Sequence, residues 1–261
     1  MKARLILITG ATASGKTTIS RAIASKDKKK FLWATFDEIK EVDDEIKHWI
    51  PPSPTESLQK ILKNKLSLGT AVGLLLSASS IFIDPIFKLF PSLRRILIIT
   101  EIIDHLEQNK NDRIVLDCLC LDELFDLLHS IGSMKKILNG SPLFSFVEKM
   151  EHTLFSDTSL YDIMLITRPH IVEVNQIKHE IKTIENFFKK EPIHIFNALF
   201  SMTEDYKNKK PPEVLRPYIL NEEKLTALFD KNSTYRFPYI ASLKVDDQIK
   251  KISKEILNEK F

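Results

Sequence analysis

The stretch that decides the fold is LILITGATASGKTTISRAIA, residues 5–24. Residues 5–8 form a short apolar run of the kind a buried parallel strand needs, the run closes on Thr9-Gly10, and residues 17–25 then read as a helix. Between strand and helix, residues 10–17 fit G-x-x-x-x-G-K-[ST] at every defined position. The physics behind that spacing is an anion cradle. Backbone N–H groups of residues 11–16 wrap a β-phosphate while the helix N-terminus adds partial positive charge. Lys16 is expected to bridge the β- and γ-phosphates, and Thr17 to give its hydroxyl to Mg²⁺. The chain holds only six glycines, and two of them fall where the motif requires them. The phosphate-binding set is therefore expected to be Gly10, Ala11, Thr12, Ala13, Ser14, Gly15, Lys16, Thr17 and Thr18, with ATP and Mg²⁺ as cofactors.

Outward from the loop, apolar runs and helical patterns alternate. Residues 31–36 (FLWATF) read as a second strand closing on Asp37, and residues 113–116 (RIVL) as another closing on Asp117. Residues 162–167 give a fourth strand, 193–196 either a strand or a helix start, and 239–245 a last strand before a terminal helix at 247–259. Helical spacing marks 57–65, 96–106, 121–132, 143–157 and 170–190, with Gly132, Gly140 and Pro142 expected to break the pattern. This rhythm implies an α/β fold, a three-layer sandwich with a mostly parallel sheet, in a single domain over 1–261 with helical insertions at about 46–95 and 133–160.

In such a sheet, ligands bind at the carboxyl ends of the strands. Asp117 is accordingly read with Thr17 as a metal-holding pair, and Asp37 as the base or water-positioning group beside the γ-phosphate. Arg168, directly after the fourth strand, is the guanidinium expected to stabilise charge on the transferring phosphoryl group, ahead of Arg216 and Arg236.

Composition narrows the partners. The 38 basic and 35 acidic side chains leave a net charge of +3, which gives no reason to expect nucleic acid. The run Lys26, Lys28, Lys29, Lys30 reads as a solvated loop. Cys118 and Cys120 lie two apart on a strand, point the same way and cannot bridge each other, so they are read as structural and a reducing compartment fits. The apolar run at 5–8 is too short for a secretory leader, and a cytoplasmic location is expected. Residues 66–83 (LSLGTAVGLLLSASSIFI) carry no charge. They read as a helix packed within the fold or between protomers, the alternative being a membrane-associated or client-binding surface.

GATASGKTTI resembles the phosphate loop of small P-loop kinases. With FLWATFDEI and NDRIVLDCLCLDELFDLL, the likeness is to the chloramphenicol phosphotransferase-like kinases within the P-loop NTPase superfamily. That resemblance implies phosphoryl transfer from ATP to a hydroxyl of a small-molecule acceptor, with Asp37 accepting the hydroxyl proton. A rival resemblance is to the arsenite-transporting and tail-anchored-protein-targeting ATPases. There, DCLCLDELFDLL occupies a place like the second switch, IHIFNAL with Asn197 looks like the adenine-reading strand, and residues 66–83 would meet a hydrophobic client. Those ATPases carry a lysine where this chain has Ala11. A third class is a nucleotide-binding switch with slow turnover.

Overall fold

A strand covered on both faces must be apolar on both faces, and β1 (Leu5–Gly10) is: all six residues are buried, Leu5 and Leu7 in one core cluster and Ile6 and Ile8 in the other. The structure is a computed structural model and describes residues 4–27, 29–37, 46–65, 87–88, 90, 92–140, 144–155, 158–169, 174–203, 213–229, 234–240 and 245–258. After β1 come α1 (Lys16–Lys26), β2 (Phe31–Thr35), α2 (Pro54–Lys65), α3 (Leu93–Gln108), β3 (Arg113–Cys120), α4 (Leu121–Ile137) and α5 (Phe144–Phe155). Then follow β4 (Tyr161–Thr167), α6 (Val174–Phe188), β5 (Ile193–Leu199), α7 (Arg216–Ala227), β6 (Thr234–Pro238) and α8 (Val245–Asn258).

The six strands form one sheet in the order β2-β3-β1-β4-β5-β6, and every pairing is parallel. The β1 to β2 connection runs one way along the sheet and the later ones run the other. Right-handed crossovers therefore send α1 to one face and the middle helices to the opposite face. The cores show this partition. Ile19, Ala22 and Ile23 of α1 pack with Ile249 and Ile252 of α8 against Ile6, Ile8, Val115 and Met164. On the other side α3, α4 and α6 bury Ile99, Ile103, Leu124 and Ile184 against Leu5, Leu7, Leu116 and Ile163. A third patch of Ile177, Phe196, Leu199 and Leu225 continues that layer under α6 and α7. The result is a three-layer α/β sandwich. Among the described residues no helix is long and apolar enough to cross a membrane, and residues 66–83 lie outside them.

Two sequence expectations need correcting. The last strand is Thr234–Pro238, not residues 239–245. It is an edge strand with a half-polar pattern, so it carries no apolar run to announce it, and Arg236 on it donates to the Thr226 carbonyl at 2.9 Å. Gly132 also does not break its helix: α4 runs through it to Ile137 because the buried stripe Leu128, Ile131, Met134 continues on both sides. A Cβ there would meet nothing within 4 Å. Residues 193–199 are a strand, which settles the alternative left open for them.

Candidate functional site

The order of the sheet reverses direction at β1, and the chain leaving β1 is the glycine loop. Gly10 is required by close approach to backbone, and Gly15 by its left-handed conformation. At Gly10 (φ +150°) a Cβ would stand 2.2 Å from the Ile166 carbonyl oxygen of β4; at Gly15 (φ +93°) it would stand 2.3 Å from Nδ2 of Asn197. That amide donates to the Ser14 carbonyl at 2.8 Å, so β5 braces the loop from below. Within the loop the Ser14 N–H donates to the Ala11 carbonyl at 3.2 Å, and Ala13 takes a left-handed φ of 60°. For a residue with a Cβ that conformation costs roughly 1–2 kcal/mol.

α1 begins at Lys16 with no acidic residue in its first turn, so its positive end is not neutralised from within. The Lys16 ammonium crosses the loop to donate to the carbonyls of Ala11 (2.9 Å) and Gly10 (3.3 Å). Ser14 Oγ is buried and has no hydrogen-bond partner among the described residues. One turn further along α1, Ser20 Oγ accepts the indole N–H of the buried Trp33 at 2.9 Å, which ties α1 to β2.

Register brings the carboxylates in. Asp117 lies opposite Ile8 of β1 and opposite Thr35 of β2, and Asp37 follows two residues after Thr35. The Thr35 hydroxyl accepts the Asp37 N–H at 3.2 Å, while Thr9 Oγ1 donates to the Leu119 carbonyl at 3.0 Å and pins the ends of β1 and β3 together. Asp117 is 8% exposed and accepts a hydrogen bond from the Thr17 hydroxyl. Burial pushes its carboxyl up to about 6, against the pull of Thr17 and Lys16 and with a further push from the charge of Asp37. Lys16, Thr17, Asp37 and Asp117 thus share one cleft of about 290 Å³. Among the described residues no group of three or more His, Cys, Asp or Glu converges as a closed metal site. Thr17 and Asp117 are a hydrogen-bonded pair on the cleft wall.

Arg168 is not in that cleft. It lines a second one of about 230 Å³ with Gly15, Thr18, Asn197, Tyr239 and Gln248, round the other side of the α1 N-terminus. The sequence reading missed what stands in its place. Arg95 of α3 lines the first cleft, with Cys120 and Glu123 at the start of α4. Of the cysteines, Cys118 is buried, its thiol pushed up to about 12 by that burial, and Cys120 is half-buried on the cleft wall. The only sequence signal for Arg95 is the pair Arg94-Arg95 in the first turn of a helix with no acid there, where the macrodipole disfavours cations.

No protein-family model matches the chain, and no curated protein matches it in sequence.

Proposed function

We propose that the chain is a P-loop enzyme that binds ATP with Mg²⁺ and moves the γ-phosphoryl group to a hydroxyl of a small molecule. One observation carries this reading. A loop with one glycine closed off by backbone and another in a left-handed conformation, an ammonium lying across it, and a buried carboxylate bonded to the first helical hydroxyl all meet at the reversal point of a parallel sheet. The donor set suits the ligand. Loop N–H groups, Lys16 and the α1 terminus answer phosphate oxygens. Thr17 and Asp117 would supply hard oxygen ligands of the kind Mg²⁺ takes. When bound, Mg²⁺ supplies charge neutralisation at the β- and γ-oxygens.

The chain's own residues do the remainder. Lys16 leaves its carbonyl partners to hold the phosphates, and Asp37 accepts the proton of the acceptor hydroxyl as that oxygen bonds to the γ-phosphorus. The bond to the bridging oxygen breaks, and its electron pair departs on ADP. The second cleft takes the base and sugar, with Arg168 and Tyr239 offering planar faces beside Thr18. A cytoplasmic location accords with the two free cysteines. The hydrophobic-client alternative draws on DCLCLDELFDLL, on Asn197, which lines the second cleft, and on residues 66–83, which lie outside the described residues.

γ-Labelled ATP, offered with Mg²⁺ and a pooled metabolite extract, tests the reading. Label on a new small molecule establishes transfer; label released only as free phosphate, or retained on ATP, replaces it with the ATPase or switch reading.

A further inference from the structure

α3 leads into β3 from below, so its first turn stands over the carboxyl ends of the strands, where the glycine loop lies. That turn holds two arginines and no acid. A helix N-terminus is where a cation is least favoured, and the two guanidiniums meet different fates. Arg94 lies over the Phe87 ring, 5.0 Å from its centroid. Arg95 enters the cleft of Lys16, Thr17, Asp37 and Asp117, where its Nη2 stands 3.4 Å from Oε1 of Glu123. Glu123 belongs to the first turn of α4, which also starts at the strand ends, and its other oxygen accepts from the Cys120 thiol at 3.2 Å. That thiol and Arg95 hold the Glu123 carboxyl below the usual carboxylate range, outweighing the opposing effect of burial.

Resting on the nucleotide reading above, we propose that Arg95 is the catalytic guanidinium of this site. It leaves Glu123 to bind the equatorial oxygens of the γ-phosphoryl group as that group passes from ADP to the acceptor oxygen. Both side chains of the pair are about half exposed, at 40% and 49%, and ion pairs of that kind hold weakly. A phosphoryl group carrying more charge than one carboxylate outbids Glu123. The α3 terminus, whose field disfavours Arg95 at rest, adds attraction for the same anion, so an arrangement that weakens the helix strengthens the cleft as an anion site. Asp37 takes the acceptor proton, the new P–O bond forms, and the old bridging bond leaves its electrons on ADP; Arg95 neither gains nor loses a proton.

The test needs no knowledge of the acceptor. Mg²⁺ and ADP are titrated by calorimetry with and without aluminium fluoride, which mimics the planar phosphoryl group, in wild type and in Lys16→Ala, Arg95→Ala, Arg95→Lys and Arg94→Ala. Expected is a fluoride-dependent tightening in wild type that falls about 100-fold in Arg95→Ala, while affinity for ADP alone and the melting temperature stay put. Arg95→Lys recovers part of it, and Arg94→Ala all of it. The proposal is overturned if Arg95→Ala keeps the tightening, if it weakens ADP alone by the same factor, or if Arg94→Ala loses as much. If Lys16→Ala binds ADP as wild type does, the nucleotide reading itself falls. If Lys16→Ala loses binding and Arg95→Ala keeps the tightening, Arg95 alone is misassigned.

Discussion

Two cavities of the same size, about 290 Å³ each, stand at opposite ends of the parallel sheet. At the carboxyl ends of β1 and β3, burial pushes Asp117 up to about 6, and Lys16, Arg21 and the Thr17 hydroxyl all pull the other way. At the amino ends of β5 and β6, burial alone pushes His194 down to about 4. Its ring stands 4.5 Å from that of Phe229, and among the described residues neither ring nitrogen has a hydrogen-bond partner. Volume does not separate these cavities. What does is that the buried Asp117 carboxyl has Thr17, Lys16 and Arg21 pulling against its burial, whereas burial is the one cause acting on the His194 ring, although Glu191 lines the same cavity.

Breaking that contrast at the glycine-loop end gives the largest effects. Asp37→Asn is expected to leave ATP affinity intact and lower turnover by about 10²- to 10⁴-fold, read as labelled product; surviving turnover removes Asp37 from the role of base. Lys16→Ala should cost at least about 100-fold in triphosphate affinity by calorimetry, with little change in melting temperature. Asp117→Asn should do two opposite things. Because the folded carboxyl sits near 6 and the unfolded one near 3.8, the folded state binds more protons between those values. Stability from this group is present at low pH and is lost as pH rises through about 6. The amide therefore stabilises the ligand-free protein at neutral pH by roughly 1–3 kcal/mol, while abolishing the Mg²⁺ dependence of nucleotide binding. A variant less stable than wild type at pH 7.5 contradicts the desolvation account.

At the other end the effects are smaller and have the opposite sign with pH. The His194 folded value near 4 lies below the ordinary 6.5, so the unfolded chain binds more protons and stability falls as pH drops from about 6.5 toward 4. His194→Phe is expected to raise the neutral-pH stability by roughly 1–2 kcal/mol and to flatten the acid limb of a melting-temperature profile. An unchanged acid limb would show that the imidazole finds a partner in solution.

The same contrast explains how much was legible in the sequence. Gly10, Gly15, Lys16 and Thr17 are set by contiguous residues, and Asp37 and Asp117 by the ends of apolar runs, so their convergence follows once the strands alternate with helices. Arg95 is different. It comes from a helix 22 residues before Asp117, and only the packing of α3 over the strand ends brings it to the loop. Arg168 follows a strand end as expected, yet β4 lies on the far side of β1 from β3, so its guanidinium faces the other cleft. β6 lacks an apolar run because an edge strand needs little apolar sequence, and α4 continues through Gly132 because a glycine with no neighbour within 4 Å costs a helix only about 1 kcal/mol.

The bond from the Trp33 indole to Ser20 has a practical side. One of only two tryptophans in the chain is wired to the helix whose first turn holds Lys16 and Thr17. An indole is an optical reporter of its electrostatic surroundings, and an anion seated at the end of α1 changes the field along that helix. An anion bound there would accordingly be expected to alter the Trp33 emission, a readout that needs no label.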